Sequence, residues 1–215
     1  MVQLKADSKL FFYARDIFKE KLDEERRKES PDQDVLDDVT SVLEYIMEDR
    51  AADIATFDQL TAQGEMTFQF LWSMFPPNCI AYHYQPQTEQ DQLFIVRSVE
   101  YIWKNGREIL IFYCALVTDD GNSFGFATEE RIFIESFKGS RKIQNLPIFP
   151  LEYHIDKTRI WENAIQRGRR FAKMVGHYYG EMSGPAMKEV RNPDGKVRYT
   201  NFRVSDQRNV WILDY

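Results

Sequence analysis

The chain has 215 residues, of which 43% are hydrophobic, 29% charged and 14% aromatic, with a net charge of -6. This is enough for one sizeable packed domain with an appendage, and it excludes a wholly disordered chain. The charge is uneven: residues 155–215 carry +5 and the remainder -11, so no concentrated basic face marks a general nucleic-acid binder. The two cysteines, Cys79 and Cys114, sit in apolar runs. They make no disulfide framework and suit a reducing compartment. Met1-Val2-Gln3-Leu4-Lys5 lacks the apolar core of a signal peptide, and no stretch approaches the roughly 20 apolar residues that span a bilayer. The expected location is cytoplasmic or nuclear, away from any membrane.

Helical spacing of Phe11, Ala14, Ile17 or Phe18, and Leu22 predicts a helix over residues 8–28. Its charged tail has opposite charges three and four apart, which support a solvated helix. Ser30-Pro31-Asp32 breaks it. A second helix is expected over residues 33–54, striped by Val35, Leu36, Val39, Val42, Leu43, Ile46 and Met47. A third, short and buried, is expected over residues 67–75, and Pro76-Pro77 ends it.

The pattern then changes to period two. Ile80, Tyr82 and Tyr84 alternate with Ala81 and His83. Residues 93–103 and 108–117 read as strands joined at Asn105-Gly106, a pair suited to a turn that needs positive φ twice. The second of these strands is apolar on both faces and is expected to lie centrally. Residues 124–128 and 130–136 read as two more strands. Pro147 and Pro150 restrict the stretch around Ile148-Phe149 to an edge or an extended linker. Asp156 is expected to cap a helix over residues 157–175, with Ile160, Trp161, Ala164, Ile165, Gly168, Phe171, Ala172 and Val175 on one face and Gly176 as its stop. Two or three strands follow: residues 177–182, a hairpin through Asn192-Pro193-Asp194-Gly195, and residues 209–214. The expected fold is α+β: N-terminal helices in residues 1–75, then a β-rich domain in residues 76–215. Within that domain, a curled antiparallel sheet or small barrel carries one long helix and C-terminal strands.

Chemistry is sparse. No glycine-rich loop precedes a Lys and a Ser or Thr, which a phosphate-binding loop requires. His83, His154, His177, Cys79 and Cys114 are too scattered for structural zinc. A Cys114–His154 pair would place its thiol in the most apolar strand, where a thiolate is disfavoured. Asp119 and Asp120 precede Gly121-Asn122 and read as turn residues, and Glu129-Glu130 likewise reads as an exposed turn. No catalytic residue, metal ligand or cofactor site is assigned. Arg167, Arg169, Arg170 and Lys173 are the candidate partner-binding residues, with Trp161, Phe171, Tyr178 and Tyr179 as aromatic neighbours.

Several motifs resemble a family pattern in their order. They are Leu71-Trp72-Ser73-Met74-Phe75-Pro76-Pro77, Phe94-Ile95-Val96-Arg97-Ser98-Val99, Asp120-Gly121 with Phe124-Gly125, Asn145-Leu146-Pro147-Ile148-Phe149-Pro150-Leu151, Arg167-Gly168-Arg169-Arg170-Phe171, Gly184, and Val210-Trp211-Ile212-Leu213-Asp214. Over about residues 35–215 the pattern is similar to the uncharacterised domain on the N-terminal side of AAA-type ATPases of filamentous fungi. The resemblance implies a non-catalytic accessory domain that recognises a protein substrate or adaptor, or aids assembly of a ring. ATP and magnesium would belong only to a downstream ATPase domain absent from this chain. The apolar end at Tyr215 reads as an interruption, hence a fragment. The alternative is a free-standing module for peptide or single-stranded nucleic acid, although nucleic acid is the less expected partner.

Overall fold

A computed structural model describes residues 8–86, 89–119, 123–173, 178–181, 184–191, 197–204 and 210–213. The fold is α+β, and the chain divides into two compact units. One comprises Met1–Pro76 with Ser136–Asn145, and the other Pro77–Glu135 with Leu146–Tyr215. The segment Ser136–Asn145, expected within the β-rich domain, therefore belongs to the helical unit.

The helical unit contains α1 (Ser8–Arg26), α2 (Gln33–Asp49) and α3 (Ala51–Ala62). Asp32 caps α2, its carboxylate accepting from the N–H groups of Asp34 (3.1 Å) and Val35 (3.3 Å). Glu25 ties the end of α1 to that cap: it accepts from the Asp32 N–H at 3.1 Å and from Lys28 Nζ at 2.6 Å. These bonds hold the Glu25 carboxyl below its usual pKa, the Lys28 bond contributing most. The single helix expected over residues 33–54 is broken at Arg50, whose backbone leaves the helical region (φ -115°, ψ 14°). The break places Ile54 of α3 in one cluster with Ile46 of α2 and Phe12 of α1, and Val42, Phe57 and Trp72 pack against it. Arg15 is buried beside this cluster, with its guanidinium over the Phe12 and Phe57 rings and bonded to Asp58 at 3.3 Å.

Short strand β1 (Glu65–Thr67) leads into a 3-10 segment at Phe68–Met74, where a short helix was expected. In sequence order, β2 (Cys79–Gln85), β3 (Gln90–Lys104), β4 (Arg107–Asp119) and β5 (Phe124–Glu135) follow, then β6 (Ser140–Lys142) and β7 (Phe149–Pro150). β6 pairs with β1, Met66 opposite Arg141. In the other unit, five antiparallel strands form one sheet in the order β5-β4-β3-β2-β7. The sheet is open, not a closed barrel. β4 is covered along its middle, with Ile109, Leu110, Ile111, Phe112, Cys114 and Ala115 all buried. The expected break near Glu129 is instead a bulge in one continuous strand: Phe112 faces Ile132 and Tyr113 faces Glu130, leaving Arg131 as the extra residue. Glu129 and Glu130 are thus strand residues and not a turn. A second bulge at Arg97 shifts the β3–β4 register. The two-residue β7 sits at the sheet edge, where its proline costs no ladder bond.

α4 (Lys157–Phe171) is shorter than expected and ends at the Ala172 cap. Val175 and Gly176 lie outside the described residues. Asp156 precedes the helix but its side chain makes no cap bond. Its carboxylate pairs instead with Arg159 at 3.4 Å, and its N–H donates to His154 Nδ1 at 3.0 Å. Among the described residues of the C-terminal region, β8 (Tyr178–Glu181) pairs with β11 (Val210–Leu213), and β9 (Gly184–Arg191) with β10 (Val197–Val204). The expected turn at Asn192-Pro193-Asp194-Gly195 lies outside the described residues, as do Asp120, Gly121, Asn122 and His177.

Candidate functional site: the α4 helix and its anchor

α4 forms because Lys157–Phe171 is rich in good helix formers, and Arg169 and Arg170 in its last turn face the negative end of the helix dipole. Its side chains divide in a way the sequence reading did not foresee. Ile160, Ala164, Arg167 and Phe171 follow one stripe at helical spacing, and only Ile160 is buried. Trp161, Ile165 and Arg169 recur every fourth residue and form a second row, which Lys173 extends in sequence just beyond the helix end. Trp161 is 43% exposed and Ile165 39%, so part of the apolar face expected of this helix stays open.

Among the four candidate cations, Arg167 is engaged within the protein: its Nη2 donates to the Asp91 carbonyl oxygen at 2.9 Å. Arg169, Arg170 and Lys173 are exposed. The structure thus leaves three of the four candidates exposed at the end of α4, with Arg169 following Trp161 and Ile165 at helical spacing and Arg170 turned to the other side. Phe171 packs edge-on against Phe124 of β5, with ring centroids 5.5 Å apart. Tyr178 and Tyr179 lie on β8, and only their backbone is described.

Asp91 is the residue sequence reading missed. It opens β3 opposite Tyr84. Tyr82 donates its hydroxyl to Asp91 Oδ1 at 2.9 Å, and Arg159 Nη1 lies 3.6 Å from Asp91 Oδ2. Burial, followed by the bond to Asp91 and that carboxylate's charge, pushes the Tyr82 phenol up to about 12. The Tyr82 ring packs on Phe149 (5.2 Å) and His154 (4.5 Å), while His154 stacks on Phe149. At the same edge, His83 Nδ1–H donates to the Pro147 carbonyl at 2.7 Å. The available signal was an arginine within the stripe of Ile160, Ala164 and Phe171, because a cation there calls for an oxygen opposite it.

Among the described residues, the cysteines and histidines lie as follows. Cys79 and Cys114, neither in a disulfide, face Val96 from either side of β3, on β2 and β4. Burial pushes the Cys79 thiol up to about 12, with smaller contributions from the charges of Glu152 and Cys114, which is the opposite of activation. His154 packs against β2 and β7, two strands from Cys114 on β4. Among the described residues, no three His, Cys, Asp or Glu side chains are grouped to hold a metal ion, and no helix is long and apolar enough to cross a membrane. A shallow depression of about 400 Å³ lies at the β3–β4 tip, lined by Lys104, Asn105, Arg107, Ile109, Phe133 and Glu135. Arg107 is held by Glu135 at 3.0 Å, so its rim is salt-bridged.

Residues 56–155 match a family described as Domain of unknown function (DUF7025). No curated protein and no solved structure matches the chain.

Proposed function

We propose that this chain is a non-catalytic recognition domain of an AAA-type ATPase, with α4 as the surface that meets a protein substrate or adaptor. The observation that supports it is the exposed row of Trp161, Ile165, Arg169 and Lys173, which pairs apolar contact area with fixed positive charge. Aromatic side chains and arginines of this kind supply the anchors of protein interfaces. The order of sequence motifs supplies the link to AAA-type ATPases, in which ATP and magnesium would be held downstream. The two cysteines, neither in a disulfide, support a reducing location, cytoplasmic or nuclear.

The test has two parts. The purified 215-residue chain is assayed for ATP hydrolysis, and turnover above the buffer rate would sink the proposal. A photo-crosslinking residue is then placed at Ile165 or, as a control that is more exposed still, at Trp103 of the β3–β4 hairpin. A defined protein adduct from position 165 alone, lost on Arg169→Ala, is the expected result; adducts from position 103 alone overturn it. Exposed cations beside Trp161 also fit a single-stranded nucleic acid. That reading is favoured instead if DNA binding weakens with salt and with Arg169→Ala, Arg170→Ala and Lys173→Ala together.

A further inference from the structure

α4 is joined to the sheet by few contacts, and two of them are polar. Ile160 is its one buried side chain. Phe171 meets Phe124, but both rings remain more than a third exposed. The rest of the attachment converges on Asp91. Its carboxylate takes Arg159 (3.6 Å), and its carbonyl oxygen takes Arg167 (2.9 Å). The Tyr82 hydroxyl bonds the same carboxylate from the sheet side and fixes its direction. The Arg159 side chain is 56% exposed and that of Asp91 27%, so water and salt reach this junction. By contrast, β4 is buried from Ile109 to Ala115 almost without interruption. An element with one buried side chain and solvent-accessible polar anchors opens at lower free energy than a covered strand.

We infer that α4 is a detachable strap, latched to the sheet at Asp91, which opens without unfolding the sheet. Opening releases two separate holds at this residue, Arg159 from the carboxylate and Arg167 from the backbone carbonyl. The strap responds to charge. An anionic group that takes the two arginines holds it open, and so does high salt. Opening also frees the row of Trp161, Ile165, Arg169 and Lys173 from a fixed orientation. The inference rests on the latch geometry and stands whether or not this row binds a protein.

Hydrogen exchange read by mass spectrometry on the full chain tests it. In Asp91→Ala, amides of residues 161–171 should exchange about two- to fivefold faster, as expected for loss of a solvent-accessible ion pair. Amides of residues 109–115 should keep their protection. Salt near 1 M should accelerate the helix in the native chain and add little in Asp91→Ala. Arg159→Gln should reproduce the effect, and combining it with Asp91→Ala should add nothing, whereas Arg167→Gln should add to either. Should Asp91→Ala fail to fold, the paired changes Arg159→Gln and Arg167→Gln, both on exposed helix positions, carry the same test. Unchanged helix exchange overturns the inference. So does simultaneous loss of protection in the helix and in β4, since the helix would then belong to the cooperative core.

Discussion

At the scale of single residues, two proton-bearing groups on β2 link this fold to alkaline pH. The Cys79 thiol and the Tyr82 phenol both have folded pKa values near 12, against ordinary values of 9.0 and 10.0. Each folded value is raised, so each group's contribution is complete below its ordinary pKa. It is lost as pH rises, because the unfolded chain releases the proton first. Stability should therefore fall from pH 9 upward and continue to fall toward pH 12. Urea midpoints across this range check the direction, and Cys79→Ala should flatten the first part of the slope whatever its effect at neutral pH. Alkylation of Cys79 at pH 8 should also be slower in the folded chain than in urea. The apolar runs around both cysteines told the sequence reader that neither was a nucleophile. Asp91 was invisible by the same method, since its partners come from positions 82, 159 and 167 and only folding brings them together.

At the scale of elements, local chemistry was readable wherever the backbone itself makes the demand. Asn105 and Gly106 both have positive φ, 53° and 75°, and the turn falls where the pair predicts it. The prolines around Phe149 likewise marked the sheet edge. Two glycines now give opposite predictions. A Cβ at Gly106 or at Gly168 meets nothing within 4 Å, so only the backbone decides. Gly106→Ala forces alanine into the left-handed region and should cost about 1–2 kcal/mol. Gly168→Ala lies inside α4, where alanine is the better helix former, and should stabilise that helix by roughly 0.5–1 kcal/mol. Urea unfolding measures the first, and slower amide exchange across residues 161–171 reports the second. The Arg50 break escaped notice because apolar periodicity continues through it, and the Arg131 bulge was read as a gap between two strands because Glu129-Glu130 interrupts the apolar run. A break is set by where Ile54 must pack, and a bulge by how two strands align, so neither is specified by local sequence alone.

At the scale of the whole molecule, the least legible feature is the discontinuity of the helical unit. Ser136–Asn145 follows β5 yet returns to Gly64–Thr67 some seventy residues earlier, through the β1–β6 ladder and the bond from the Ile143 N–H to the Gly64 carbonyl at 2.9 Å. Nothing in Ser140-Arg141-Lys142 specifies that pairing, since all three residues are exposed and polar. The apolar signal lies in Ile143, which is 1% exposed. A side chain buried to that degree costs about 2–5 kcal/mol when cut to alanine. Ile143→Ala should therefore lower the stability of the helical unit by this amount. Amides of residues 64–74 should exchange faster, while those of residues 109–115 in β4 stay protected. Faster exchange at both places would mean that the two units unfold as one cooperative body, and loss at β4 alone would assign Ile143 to the sheet unit instead.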